Sequence, residues 1–101
     1  MTKTVFSAMR PTGKLHLGHL VGALENWLQL QGQYRCIFSV VDWHAYMGEY
    51  EDSQKIKSYI NEMVIDWLAC GIDPDKSIIF VQSDVKEHLE LQMMLSCITQ
   101  L

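Results

Sequence analysis

The sequence is poor in positive charge and contains no long apolar run. It holds 8 Lys and Arg residues against 12 Asp and Glu, for a net charge of −4. This excludes a chain whose basic surface follows a nucleic-acid backbone, so any RNA contact must be local or made by residues outside this chain. No apolar run approaches the roughly 20 residues that cross a bilayer, and no secretory signal is visible after Lys3. We therefore expect a cytoplasmic protein with no membrane partner.

Cysteine is scarce and unclustered. The three cysteines, Cys36, Cys70 and Cys97, form no Cys-x-x-Cys pair, and each lies in an apolar segment. An odd number without clustering predicts reduced, packed thiols in a reducing compartment. No cluster of metal ligands is visible either, so we expect no tightly bound metal.

Short apolar runs alternate with longer amphipathic segments along the chain. Strands are predicted over residues 3–8, 36–41 and 77–81, and helices over 17–31, from 52 or 53 to 70, and from 83 or 84 onward. Loops are predicted over residues 9–15 and 45–52. This β-α-β-α-β-α order predicts an α/β fold, in which one parallel sheet with flanking helices forms a single domain.

The expected element ends depend on a few residues. Gly32 is predicted to stop the first helix in the left-handed conformation. Gly71 is predicted to close the second helix, and Pro74 to prevent its continuation. The helix caps are expected at Asp52 or Ser53 and at Ser83 or Asp84.

Two features predict that residues 1–101 are the N-terminal part of a longer domain. A three-stranded parallel sheet exposes its edges, and proteins usually cover such edges. The last helix is also still apolar at Leu101, without a stop signal. We expect the domain to be truncated at its C-terminal end.

The run Pro11-Thr12-Gly13-Lys14-Leu15-His16-Leu17-Gly18-His19 joins the first strand to the first helix. A helix N-terminus offers unpaired N–H groups and partial positive charge, as phosphate sites require. Gly18 has no Cβ, so a nucleotide could approach the backbone closely. His16 and His19 are three apart and share one helical face, which suits a polyphosphate. As half of a metal site, the same pair lacks further ligands.

This run resembles the His-apolar-Gly-His signature of class I aminoacyl-tRNA synthetases. The Pro-Thr-Gly-Lys-Leu ahead of it is similar to the tryptophanyl/tyrosyl branch. Residues 39–45, Ser-Val-Val-Asp-Trp-His-Ala, resemble the second-strand motif of that branch, and residues 70–74 and 79–83 resemble tryptophanyl members in particular. Within the match, Ala8 stands where many members have Gly, and His19 where many bacterial tryptophanyl members have Asn.

The resemblance implies part of a Rossmann-like domain that activates L-tryptophan with ATP and transfers it to tRNA(Trp), in a homodimer. Magnesium would arrive with ATP. The catalytic residues that it implies are His16 and His19. The ATP-binding residues that it implies are Arg10, Pro11, Thr12, His16, Gly18 and His19. The tryptophan-pocket residues that it implies are Phe6, Val41 and His44.

Several motifs and domains found in members of the family have no counterpart in these residues. They are the Lys-Met-Ser-Lys-Ser type loop, the second half of the sheet, the acidic residue that reads the indole N–H, and the anticodon-reading domain. We therefore expect the 101 residues alone to be inactive or very weak. Two alternatives stay open: a tyrosine–tRNA ligase, and a non-catalytic nucleotide- or partner-binding module of the same fold.

For some of these residues, a purely structural or solvent-exposed role also stays open. Phe6 and Val41 could be ordinary core residues, and Arg10 a solvated loop cation. Trp27 and Trp67 fall on apolar helical stripes and are predicted to lie in the core or in a subunit contact. The apolar last helix is the expected dimer contact.

Overall fold

Strands and helices alternate along the chain as predicted. The computed structural model describes residues 2–48 and 50–100. Its strands are β1 (Thr4–Met9), β2 (Arg35–Val40) and β3 (Ser77–Val81). Its helices are α1 (Leu17–His19), which continues through a π-helical turn (Leu20–Leu24) into α2 (Glu25–Gln31), then α3 (Asp42–Tyr46), α4 (Ser53–Cys70) and α5 (Glu87–Ile98). Glu49 of the predicted 45–52 loop and Leu101 of the last helix lie outside the described residues.

The three strands form a parallel sheet in the order β1-β2-β3, which confirms the predicted α/β class. Phe6 lies opposite Ile37 in the register, and Ser39 opposite Phe80. Because side chains alternate along a strand, every second residue faces the same side. One side packs on α2 and α4 and is called the core face. The other, called the open face, carries Phe6, Ala8, Ile37, Ser39, Ile78 and Phe80.

The core is built around two tryptophans, which confirms their predicted burial. Trp27 stacks on Phe38 of β2 with ring centroids 4.3 Å apart, and it meets Trp67 of α4 edge-on at 5.0 Å. Aromatic pairs of this kind add about 0.5–1.5 kcal/mol each beyond the area that they bury. Together the rings hold α2 and α4 against the core face.

The two helix-ending glycines differ. Gly71 closes α4, as predicted, and it does so in the left-handed region with a φ of +113°. The same prediction for Gly32 is wrong, because its φ is −79°. The N–H groups of Gln33 and Tyr34 both donate to the Leu30 carbonyl, at 3.0 and 2.9 Å. That right-handed turn closes α2 without a positive φ.

The predicted helix caps are right in position for α4 and wrong for α5. Asp52 is the N-cap residue of α4, and its carboxylate pairs with Lys55 at 2.7 Å. The hydrogen bond from Lys55 lowers the pKa of the Asp52 carboxyl. Ser83 and Asp84 lie in a 3₁₀ turn (Gln82–Asp84), and α5 begins only at Glu87.

A second difference lies after β2. Residues 45–52 were expected to be a loop, but α3 begins at Asp42 and a 3₁₀ turn covers Tyr50–Asp52. The backbone N–H of Ala45 donates to the Val41 carbonyl at 3.3 Å, so the chain turns helical directly at the end of the strand.

Gln31 fastens the end of α2 to the loop before β3. Its Nε2 donates to the Gly71 carbonyl at 2.9 Å. Its Oε1 accepts from the Asp73 N–H at 3.0 Å and from the Ser77 hydroxyl at 3.3 Å. One side chain therefore bridges three points that lie at least 40 residues further along the chain.

The cysteines are free, and only one of them is packed. Cys36 is buried in β2, and this burial raises the pKa of its thiol. Cys70 and Cys97 are exposed, so the expectation of packed thiols is wrong for them. In the described part of the chain, no helix has the length and hydropathy needed to cross a membrane.

Candidate functional site

The carboxyl ends of the three strands meet at one edge of the sheet, called here the strand-end edge. Residues 10–16 follow β1, residues 41–44 follow β2, and residues 82–84 follow β3. The Val41 N–H donates to the Met9 carbonyl at 3.0 Å, which continues the β1–β2 pairing to this edge. Ligands of open α/β sheets bind outside the carboxyl ends of the strands.

The loop after β1 turns sharply. The Thr12 N–H donates to the Arg10 carbonyl at 3.0 Å, and Gly13 has a φ of +138°, which favours glycine. Pro11 is buried, whereas Arg10 and Thr12 are exposed. The proline therefore anchors the loop, and the two polar side chains face outward.

His16 and His19 interlock at the start of the first helix. The Gly18 N–H donates to Nδ1 of His16 at 3.1 Å, and the His16 N–H donates to Nδ1 of His19 at 3.2 Å. The ring centroids are 4.0 Å apart, which confirms that the two rings share a face. This is a reciprocal capping box built from two histidines.

The capping box determines which nitrogen carries the proton in each neutral ring. Because both Nδ1 atoms accept, the hydrogen of each ring must lie on Nε2. His16 and His19 can then each donate a hydrogen bond from Nε2. Two such donors at one helix start can stabilise an anion.

Gly18 was expected to lack a Cβ so that a nucleotide could approach the backbone, and this reason needs correction. A Cβ at Gly18 would lie 2.8 Å from Cε1 and 2.9 Å from Nδ1 of His16. The space beside this glycine is therefore filled by the His16 imidazole. Its N–H and that of His19 are also used within the turn, so neither is the free donor that was expected.

Two hydrogen bonds join the ends of β2 and β3. Oδ1 of Asp42 accepts from the Ser83 N–H at 3.1 Å. Nδ1 of His44 lies 3.1 Å from Oε1 of Gln82. Asp42 and Gln82 are both buried. Sequence reasoning left Asp42 without a role. It also gave Gln82 no role, although Gln82 follows the third strand and lies in the 79–83 stretch that resembles tryptophanyl members.

The residues expected in the tryptophan pocket lie on two neighbouring surfaces. Phe6 is on the open face, 57% exposed, with its ring centroid 6.4 Å from that of Phe80. Within the described residues, Phe6 is therefore not part of the core. Val41 is half-buried at the strand-end edge. His44 lines a cavity of about 540 Å³ with Trp43 and Gln82.

Across residues 2–48 and 50–100, no group of three or more His, Cys, Asp and Glu side chains is placed to hold a metal ion. The polar side chains that follow β1 are those of Arg10 and Thr12, which are exposed, and of the two interlocked histidines.

The parallel half-sheet and the capped His-x-Gly-His turn define a nucleotide-binding domain of the class I aminoacyl-tRNA synthetase type. The chain belongs to the family of tRNA synthetases class I (W and Y), whose model matches residues 2–101.

Similar proteins extend this assignment. The chain is 58% identical over 95 residues to a tryptophan–tRNA ligase of Thermotoga maritima, covering 93% of this chain and 29% of that protein. A crystal structure of tryptophanyl-tRNA synthetase from Campylobacter jejuni matches 99% of this chain and 31% of its own, with a TM-score of 0.90 and 32% identity. A structure of that synthetase complexed with ADP and tryptophan matches with a TM-score of 0.89 and 34% identity, over 97% of this chain and 30% of its own. The chain spans 24–30% of the length of the curated relatives that it matches.

Proposed function

We propose that residues 1–101 form the N-terminal part of the catalytic domain of a tryptophan–tRNA ligase. The reaction is attack of the L-tryptophan carboxylate on the α-phosphorus of ATP, giving tryptophanyl-adenylate and pyrophosphate. The tryptophanyl group then passes to tRNA(Trp). The observation that carries this proposal is the interlocked His16–His19 pair at the strand-end edge.

The ATP site is proposed along the β1 loop and the helix start. His16 and His19 donate from Nε2 to the triphosphate, and their fixed rings need no reorganisation as charge develops. Arg10 and Thr12 are exposed beside them and contact the nucleotide. Pro11 and Gly18 contribute indirectly, since one anchors the loop and the other makes room for the His16 ring. Magnesium comes with ATP as part of the substrate.

The tryptophan pocket is proposed where the open face meets the strand-end edge. Phe6 offers an exposed aromatic ring to an indole, and Val41 and His44 border it from the end of β2. The tryptophan found with ADP in the Campylobacter jejuni relative supports this pair of substrates. The curated relatives, 44–58% identical and named as tryptophan–tRNA ligases, favour tryptophan over tyrosine.

A homodimer contact through α5 is part of the proposal. Leu91, Met94, Leu95 and Ile98 form a stripe at helical spacing on this helix, and all four are between 49% and 80% exposed. Apolar patches of this kind often mark protein contacts.

The test is amino-acid-dependent ATP–pyrophosphate exchange, with tryptophan and tyrosine assayed separately. The 101-residue chain and the uninterrupted gene product are compared side by side. We expect exchange with tryptophan in the gene product and little or none in the chain. Exchange with tyrosine instead would show the tyrosine ligase. ATP binding without exchange would favour the non-catalytic module.

A further inference from the structure

The contact between His44 and Gln82 determines which nitrogen of His44 donates a hydrogen bond and which accepts one, on the side of the site proposed for tryptophan. We propose that Gln82 is a positioning residue that holds His44 in the Nδ1–H tautomer, so that Nε2 of His44 accepts a hydrogen bond from an N–H group of the amino-acid substrate. This inference rests on the proposed function, because it names a determinant of substrate binding at that site.

The chemistry of the amide sets the direction of the bond. The atom of Gln82 that lies 3.1 Å from Nδ1 of His44 is Oε1, which can only accept. Nδ1 must therefore carry the hydrogen. A neutral imidazole has one N–H, so Nε2 keeps a lone pair and acts as an acceptor.

Burial makes this arrangement costly to reverse. Gln82 is 7% exposed. The buried polar side-chain atoms without a partner in the described residues are Ser39 Oγ, Glu62 Oε2 and Trp67 Nε1, and neither amide atom of Gln82 is among them. Breaking the contact would leave a largely buried amide oxygen unpaired, at a cost well above that of a lost surface hydrogen bond.

The backbone around the pair is fixed independently. The Asp42 carboxylate accepts from the Ser83 N–H at 3.1 Å, two residues before His44 and one after Gln82. Asp42 is 3% exposed. The start of α3 and the 3₁₀ turn after β3 are therefore joined by two neighbouring hydrogen bonds, one of which does not involve His44. The Asp42 bond holds the two segments side by side, so the imidazole and the amide face each other.

The opposite assignment holds for the two histidines of the capping box. Nδ1 accepts in both His16 and His19, so their Nε2 atoms are donors. The site thus has imidazole donors on the side proposed for phosphates, which are anions. It has an imidazole acceptor on the side proposed for tryptophan, whose ammonium and indole groups carry N–H donors. The tautomers are complementary to the two substrates.

Nitrogen-15 NMR of the 101-residue chain tests the tautomers directly. Long-range proton–nitrogen spectra are recorded at a pH where the imidazoles are neutral. We expect His44 to be protonated on Nδ1 and unprotonated on Nε2. For His16 and His19 we expect the reverse. A His44 ring with its hydrogen on Nε2 would overturn the proposal, whatever the enzymatic activity.

Exchange kinetics of the uninterrupted gene product test the consequence for binding. Gln82→Leu removes the acceptor, and we expect the KM for tryptophan to rise about tenfold while the KM for ATP changes little. Gln82→Glu keeps an acceptor for the Nδ1–H and is expected to restore most of the affinity. Gln29→Leu, the same replacement on the exposed side of α2, controls for the change in composition.

The outcomes separate the inference from the function on which it rests. Absence of tryptophan-dependent exchange in the unmodified gene product would contradict the proposed function. Normal exchange with an unchanged KM for tryptophan in a folded Gln82→Leu variant would overturn the role of Gln82. An analogue with sulfur in place of the indole N–H separates the two donors of tryptophan. Because the resemblance gives the indole N–H to an acidic residue outside these residues, we expect the KM effect to persist with the analogue, and its loss would contradict an ammonium donor to His44.

Discussion

Gly18 determines, at the scale of single residues, where the His16 imidazole can lie. Gly18→Ala would place a methyl group 2.8 Å from Cε1 of that ring and displace it. We expect kcat for pyrophosphate exchange in the gene product to fall by about 10²-fold. Stability should change by only about 1 kcal/mol, because the higher helix propensity of alanine offsets the lost cap.

The control for that substitution lies one helical turn further on. An added Cβ at Gly22 meets no atom within 4 Å, so Gly22→Ala should keep full activity and gain slightly in stability. Equal losses of activity in the two variants would show that helix rigidity, and not the position of His16, is what matters.

Removing the His16 imidazole tests the charge-stabilising role itself. His16→Ala deletes one Nε2 donor and also uncaps the Gly18 N–H. We expect kcat to fall by about 10²–10³ with little change in the KM for ATP, since the donor acts mainly as charge develops in the transition state. Steady-state exchange at varied ATP concentration measures both constants, and an unchanged kcat would exclude the role.

The two glycines after α2 and α4 give a matched test at the scale of elements. Gly71 has a φ of +113°, and a Cβ there would also lie 3.3 Å from Cδ2 of Leu28. We expect Gly71→Ala to lower the free energy of unfolding by about 1–2 kcal/mol. Gly32 has a φ of −79° and room for a Cβ, 3.7 Å from the Gln29 carbonyl oxygen. Gly32→Ala should be neutral or stabilising, and urea unfolding of the chain compares the two.

The elements that sequence reasoning predicted correctly are those with a local signal. β2 is a nearly continuous apolar run, and α4 carries an apolar stripe from Ile56 to Trp67 that ends at a left-handed glycine. The cap of α5 was wrong because Ser83 and Asp84 lie in a 3₁₀ turn, and the helix begins only at Glu87. The missed helix α3 begins directly at the end of a buried strand, where the apolar pattern of the strand gave no sign of a turn.

In the candidate site, too, the features with a local sequence signal were predicted and those that depend on long-range contacts were not. His16 and His19 are three residues apart, so their proximity was predicted, although His16 is the extended N-cap residue and the capping box brings the rings together. His44 and Gln82 are 38 residues apart, and their contact depends on β3 pairing beside β2. That long-range register has no signature in either stretch alone. The role of Gly18 was misjudged for a related reason, since the rotamer of a neighbouring side chain decides what fills the space.

At the scale of the whole molecule, the exposed apolar residues are concentrated on α5. Leu91→Glu combined with Met94→Glu places two charges in the stripe proposed as a dimer contact. We expect the gene product to shift from dimer to monomer, as measured by light scattering after size exclusion. Ile65→Glu changes a 63% exposed apolar residue on α4 and should leave the mass unchanged. A monomeric unmodified protein would contradict the proposed contact.

The edge-to-face pair of Trp27 and Trp67 gives the core an optical signature. Two indoles 5.0 Å apart, nearly perpendicular, couple their excited states. Such coupling produces paired circular dichroism bands of opposite sign, which vanish when the rings separate. Trp43 lies apart from this pair, half-buried beside the strand-end edge. Loosening of the core can therefore be followed by dichroism without a label.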